Sequence, residues 1–539
     1  MPGLPEIVYD HYYRWQEMLD FLSAAAQQHP DLVSLHELTR TPEDRPLMMA
    51  RITAPCDEPD LKPGYLVQAN VHAPEVAGTT ASLHLIRALL EGYAESTAIA
   101  GLLQQIVFYI VPRMNPDGAE FILSTGGAIR SRNTPRYRKN GLYQADVDGD
   151  GLILHMRRED PRGNLKPHPE DERMLIAREA TDTQGPFYFL YNEGLVHDYD
   201  GGAIVSAERY ADFNRNWAAN WKPEHEQGGA GDFPFSQPEM QAFARFVYDH
   251  PNLFGIFGFH CGNNSVLRPP STGSDDDIAP ADLEKMKEIG ARGEELTGFT
   301  QRAVVDYRLT SSKPIALQGH FHDWGYRHLG LFVYEVELGN IYNSLGITTE
   351  KYFDSTAQER RDYDLLALKW HDANPGQGGF TPWRPFDHPQ LGPVEIGGWR
   401  RHFAANPLST DMDRIAAGCT AFVLDHAGRR PWIQIIQASA EHIDGNVYRV
   451  RATVMNTGYL DTQITTIGHR TAQQQPVQVS LQGATVVSAA GPVQEIGHLA
   501  GTCGYKDLEW FVTADAGAPV TISAVSQKAG RDQSTVTLG

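Results

Sequence analysis

A chain of 539 residues with 46 basic and 67 acidic side chains, net charge −21, is poorly suited to bind nucleic acid or an anionic membrane surface. Its 41% hydrophobic and 21% charged content is that of an ordinary globular protein, and its length predicts more than one domain. Cys56, Cys261, Cys419 and Cys503 form no CxxC pair, the first residues lack the features of a signal peptide, and no run has the length of a membrane helix. A reduced, cytoplasmic protein is therefore expected.

Taken in chain order, Tyr12 to Gln28 predicts a helix, with Trp15, Met18, Leu19 and Leu22 as its apolar stripe and His29-Pro30 as its stop. Residues 46–53 and 65–71 read as strands. The second runs into His72-Ala73-Pro74-Glu75, and the helical spacing of Leu83, Ile86, Leu89 and Leu90 follows at once. Ile106 to Val111 is a continuous apolar run, as for a strand buried on both faces, and Pro112 to Gly118 reads as a turn. Residues from about 141 to 205 are polar and weakly periodic, and read as a long insertion. The core resumes at Ala211. A helix near 237–249, a strand at 253–260, a helix near 281–297 and a strand at 331–338 follow. Helices near 357–372 and 410–425 close this part. From about Trp432 the pattern changes. Tyr448, Val450, Ala452 and Val454 alternate with Arg449, Arg451 and Thr453, which predicts a small all-β domain, a sandwich, over 429–539.

Strand ends that give way to helices are where open α/β sheets place their chemistry. The polar groups that gather there are His72, Glu75, Arg138, Asn214, Arg215, His260 and Glu337. Taken singly, His260 reads as a core histidine and Arg138, in Arg136-Tyr137-Arg138-Lys139, as a solvated basic turn. Glu337 is different, because a carboxylate among aliphatic neighbours needs a partner or a function. Glu335 shares its strand face. His72 and Glu75, with a turn between them, can aim an imidazole and a carboxylate at one metal ion.

Six motifs in order carry a resemblance: His72-Ala73-Pro74-Glu75, Asn115-Pro116-Asp117-Gly118, Tyr137-Arg138-Lys139, Asn214-Arg215-Asn216-Trp217, the strand ending at His260, and Asp323-Trp324 followed by Glu337-Leu338. Over roughly residues 7–345 the chain resembles the zinc carboxypeptidases of the carboxypeptidase A type. The resemblance implies an α/β, mixed-sheet catalytic domain over 1–428. It implies one catalytic Zn2+ held by His72, Glu75 and His260, with Glu337 as general base and Arg138 as oxyanion stabiliser. It also implies Asn214 and Arg215 as a clamp for a substrate's terminal carboxylate. Two His and one Glu leave a zinc position open for water, and a two-pronged arginine suits a carboxylate. Glu337 fits the family spacing better than Glu335.

The chain also departs from that pattern. Where relatives have a loop tyrosine, nine residues before Trp324, this chain has Ile315; Tyr307 is the nearest tyrosine upstream. The residue before Asp323 lines the specificity pocket in relatives, and here it is His322. His320 and His322 read as pocket lining and hydrogen-bonding groups in preference to a second metal pair. In the insertion, Asp146, Asp148 and Asp150 alternate towards Gly151, like the first half of a calcium loop. Arg157 stands where an EF-hand has its glutamate, so a structural Ca2+ would need other acids, such as Asp198 and Asp200. The expected function is removal of a C-terminal residue from a peptide. The alternatives are hydrolysis of an N-acyl amino acid or a cell-wall peptide at the same site, and a non-catalytic peptide-binding protein. The oligomeric state is not legible.

Overall fold

The computed structural model describes residues 4–307, 316–374, 376, 379–471 and 474–539, so Ile315 lies outside the described residues. The central element is a mixed sheet of eight strands: β1 (Val33–Arg40), β2 (Pro46–Ile52), β3 (Gly64–Ala69), β4 (Val107–Val111), β5 (Leu253–His260), β6 (Asn264–Arg268), β7 (Thr300–Ala303) and β8 (Phe332–Leu338). Their order is β1-β2-β4-β3-β5-β8-β6-β7. The four central strands β4, β3, β5 and β8 run parallel, so their C-terminal ends share one edge.

Every residue of β3, β4, β5 and β8 is buried. This is why these strands read as unbroken apolar runs instead of alternating ones. The principal helices are α1 (Trp15–Gln28), α2 (Ala77–Glu95), α3 (Pro116–Thr125), α4 (Pro238–Asp249), α5 (Pro280–Thr297) and α6 (Ser409–Gly428). Phe422 of α6 packs its ring 5.4 Å from Phe257 of β5 and 5.6 Å from Tyr334 of β8, anchoring α6 on the sheet. The Asn115-Pro116-Asp117-Gly118 stretch starts a helix, where the sequence reads as a turn. Asn115 caps α3 by accepting from the Gly118 N–H, and Pro116 occupies the first position, where a missing N–H costs nothing.

The insertion is more ordered than its composition suggests. Strands His155–Glu159, Leu165–Pro167, Leu175–Ala177 and Tyr188–Asn192 join a later hairpin, Phe380–His388 and Gly392–Trp399, in one six-stranded sheet. That hairpin is absent from the sequence reading. From Ile433 the chain forms two four-stranded sheets around their own buried core, which includes Tyr448, Val450, Trp510 and Ile522. Among the described residues no helix is long and apolar enough to cross a membrane.

Candidate metal centre

The end of β3 is turned by Asn70, whose φ of +55° is a left-handed conformation that Asn tolerates better than most residues. Its side-chain amide donates to the His72 carbonyl at 2.7 Å, and the Glu75 N–H donates to that same carbonyl at 3.1 Å. The turn so closed points both side chains at the last residue of β5, His260. His72 Nδ1 lies 2.8 Å from Glu75 Oε1 and 3.2 Å from His260 Nδ1, and His260 Nδ1 lies 3.0 Å from Glu75 Oε2. All three residues are buried.

The protonation logic favours a cation here. His72 Nε2 stands 3.0 Å from Asp212 Oδ1, a carboxylate that can only accept. A neutral His72 therefore carries its proton on Nε2 and turns a bare Nδ1 towards Glu75. Burial works against ionisation of Glu75, but His72, His260 and Arg130 outweigh it and hold the group well below the usual carboxylate range. Lone pairs thus converge at 2.8–3.2 Å. Donor atoms about 2.0–2.1 Å from a tetrahedral zinc stand about 3.3 Å apart, so this donor set fits the ion with little adjustment.

Arg130 completes the rim. The Ala73 N–H donates to its carbonyl at 2.7 Å, and Ser131 donates through Oγ to the Val71 carbonyl at 3.1 Å. These bonds stitch the segment to the metal-ligand turn. The Arg130 side chain then reaches Glu75 Oε1 through Nη1 at 2.9 Å and Asp212 Oδ2 through Nε at 3.1 Å. Arg138, the expected oxyanion stabiliser, is exposed. It lines a separate surface cleft with Arg136, Ser206 and Arg209, and among the described residues no hydrogen bond or ion pair joins it to the triad. The reason is local: after Pro135 the chain turns outwards, while residues 130–131 remain bonded to the turn. Sequence reading missed both Arg130 and Asp212. The usable signal for Asp212 was its place two residues before Asn214.

Glu337 is the register partner of His260 across the parallel β5–β8 pair. Among the described residues its Oε2 is buried without a hydrogen-bond partner. Burial, helped by the nearby Glu75 carboxylate, pushes its pKa up to about 8. Gly262 leaves this atom room: a Cβ there would stand 3.1 Å from Glu337 Oε2 and 3.0 Å from the Tyr307 hydroxyl. The Tyr307 hydroxyl therefore points at the same space as the glutamate.

Glu335, two residues earlier, points to the other side of His260, with Oε1 2.9 Å from His260 Nε2. His322 is fully buried and bonds the Leu267 carbonyl through Nε2 at 3.0 Å; His320 lies beside it. Asn214 is buried too, with its amide engaged by Phe321, His320 and Glu335. Arg215 is buried and donates to the Asn214 carbonyl at 2.7 Å. Stacked Trp217 and Trp324, 4.6 Å apart, form a rigid floor behind this segment.

In the insertion, carboxylate oxygens of Asp146, Asp148 and Glu193 lie within 4.8 Å of one another. Glu193 takes the place expected of Asp198 and Asp200. Asp198 instead accepts from the Tyr137 hydroxyl, and Asp200 from Asn140 at 2.8 Å. Asp150 is outside that group and accepts from the Leu152 N–H at 2.8 Å.

A family model described as zinc carboxypeptidase matches residues 18–362, and one described as a domain of unknown function matches residues 432–537. A zinc carboxypeptidase of Saccharothrix mutabilis subsp. capreolus is 30% identical over 132 residues, 24% of this chain and 29% of that one. Carboxypeptidase A1 of Sus scrofa is 20% identical over 281 residues, 52% of this chain and 51% of that one. The matched segments thus span about half or less of these relatives' length. The crystal structure of the carboxypeptidase A from Helicoverpa armigera superposes with a TM-score of 0.41 at 16% identity, covering 68% of this chain and 74% of that one.

Proposed function

The chain belongs to the zinc carboxypeptidase family, and from that premise we propose that it is a metallocarboxypeptidase that hydrolyses the C-terminal peptide bond of peptides. The observation that carries this reading is the convergence of His72 Nδ1, His260 Nδ1 and the Glu75 carboxylate beside the unpartnered oxygen of Glu337.

A zinc ion held by His72, Glu75 and His260 supplies a Lewis acid for the scissile carbonyl and lowers the pKa of water. Glu337 takes the proton from the attacking water on Oε2 and delivers it to the leaving amine. Burial raises the Glu337 carboxyl above its ordinary range, which suits a group that must both take up and give back a proton. Arg130 takes the part of oxyanion stabiliser: two of its donors orient it on Glu75 and Asp212, its guanidinium has further N–H groups to offer, and it lines a cleft of about 450 Å³ with Pro74, Asn133 and Tyr210. Arg215 receives the substrate's terminal carboxylate. Asn214 holds the floor of that subsite, and Tyr307 supplies a hydroxyl close to Glu337. A structural calcium ion at Asp146, Asp148 and Glu193 belongs to the same reading. It is supported by the approach of their carboxylate oxygens within 4.8 Å of one another.

The deciding experiment combines elemental analysis of the full chain with hydrolysis of free-acid and C-terminally amidated peptides, before and after chelation. About one zinc per chain and chelator-sensitive release of the last residue from free acids alone are expected. Zinc-free turnover, or equal cleavage of the amides, would reject the reading. Calcium that raises the melting temperature of the wild type and not of Asp148→Asn is the expected result for the loop.

A further inference from the structure

We propose that Glu335 is a positioning residue for the metal centre: it fixes which nitrogen of His260 faces the ion, and a chain of three side chains behind it holds it in place. The proposal rests on the reading of His72, Glu75 and His260 as the zinc ligands. It adds a carboxylate on the side of His260 opposite the catalytic one.

His260 has two nitrogens with different surroundings. Nδ1 faces His72 Nδ1 at 3.2 Å and Glu75 Oε2 at 3.0 Å. Nε2 lies 2.9 Å from Glu335 Oε1, an ion-pair approach off the angle of a direct hydrogen bond, and has no hydrogen-bond partner among the described residues. An ionised carboxylate only accepts, so the proton of a neutral His260 belongs on Nε2. That leaves Nδ1 bare and directed at the ligand cluster. Asp212 does the same for His72 from the other flank, at 3.0 Å. Each histidine ligand thus has its own carboxylate, an arrangement that orients the ring and raises its basicity.

What holds Glu335 follows from the donors around it. The Phe321 N–H donates to Asn214 Oδ1 at 3.0 Å, which fixes the direction of that amide. Its NH2 group therefore faces His320 Nε2 at 3.2 Å and both Glu335 oxygens at 3.4 Å. His320 accepts on Nε2, so its own proton sits on Nδ1, 3.2 Å from His322 Nδ1. His322 can accept there because its Nε2–H is engaged by the Leu267 carbonyl at 3.0 Å. His322 Nδ1 also lies 3.3 Å from Glu335 Oε2, so this ring packs directly against the carboxylate as well as reaching it through His320. His320, His322 and Glu335 have the donor types and the spacing of a second metal site, but this order of donors and acceptors makes them a relay that steadies Glu335. Its last member, Asn214, borders Arg215, so the relay links the floor of the carboxylate subsite to a zinc ligand.

The test measures zinc affinity by chelator competition on the full-length wild type, Glu335→Ala and Glu335→Gln, with the absorption spectrum of each cobalt-substituted protein. The alanine variant should bind zinc roughly 10- to 100-fold more weakly, the usual effect of losing such a partner, and its cobalt bands should shift. The glutamine variant keeps an acceptor oxygen and should recover most of both. Nitrogen chemical shifts of the zinc-loaded wild type should place the His260 proton on Nε2, a readout that survives if a variant fails to fold. Unchanged affinity in Glu335→Ala would overturn the proposal. So would a His260 proton on Nδ1, or two zinc ions per chain with one lost in His322→Ala. If the wild type takes up no zinc at all, the reading of the triad fails and the proposal falls with it, whereas zinc uptake with unchanged affinity in Glu335→Ala overturns the proposal alone.

Discussion

Arg130 grips Glu75 at 2.9 Å, and the backbone of the one is bonded into the turn that carries the other. The guanidinium therefore cannot leave the rim of the metal centre without breaking that turn's contacts. Arg130→Ala should lower kcat by about 100- to 1000-fold, the range for removing one oxyanion donor. Arg138→Ala should stay within about twofold, as expected for an exposed residue outside the site. Steady-state kinetics on one free-acid peptide distinguishes them; the reverse ranking would return the role to Arg138.

Glu337→Gln removes the proton acceptor and keeps the shape. Turnover should fall by about 100-fold or more, at the strength of general base catalysis. Zinc content should stay at the wild-type value, because Glu337 is not among the three converging ligands. Parallel metal analysis and kinetics check both halves.

Arg215→Lys keeps the charge and loses the fork that matches a carboxylate. KM for free-acid peptides should rise at least tenfold. Amidated peptides, which lack the carboxylate, should show no further loss beyond their low starting rate. A clamp located elsewhere would leave KM unchanged.

Lys528 links the C-terminal β-sheets to the catalytic sheet. Its buried Nζ donates to the Pro251 carbonyl at 2.8 Å and the Leu253 carbonyl at 2.7 Å, at the start of β5. Burial lowers its pKa from 10.5 to about 7. Between these values the unfolded chain binds a proton that the folded chain does not, so stability rises with pH, by up to about 1.4 kcal/mol per pH unit. Lys528→Met orphans two carbonyls, at about 1–3 kcal/mol each, and should remove that pH-dependent gain. Denaturant melts of both proteins at pH 7 and pH 9.5 measure it; a stability gap that does not widen with pH contradicts the assignment.

Much of the catalytic fold is legible in the sequence because its central strands are buried on both faces and its helices carry clear stripes. Glu337 stands out as a carboxylate among aliphatic neighbours, whereas His72, Glu75 and His260 are brought together only by the resemblance that the six motifs carry. Arg130 does not stand out. Arg130, Arg132, Arg136 and Arg138 lie within one polar segment, and only the Ala73 N–H bond to the Arg130 carbonyl and the Ser131 hydroxyl bond to the Val71 carbonyl select the first. Asp212 is hidden for the same reason, since its role comes from His72 and Arg130 and not from its neighbours in sequence. The alternating carboxylates of the insertion suggested Asp198 and Asp200 as partners. Glu193, on a short buried stretch, carries no such pattern.

The six-stranded sheet of the insertion sets a schedule for biosynthesis. Its strand His155–Glu159 needs Gly392–Trp399 as a neighbour, and the Arg157–Glu395 pair that joins them spans 238 residues. At a translation rate of roughly 5–20 residues per second, the earlier strand waits roughly 10–50 s for the later one to be made. During that interval its hydrogen-bonding edge is open to other chains. Nascent copies on one polysome are therefore the species in which this protein is most exposed to mispairing, and slower decoding before residue 392 should lower its soluble yield.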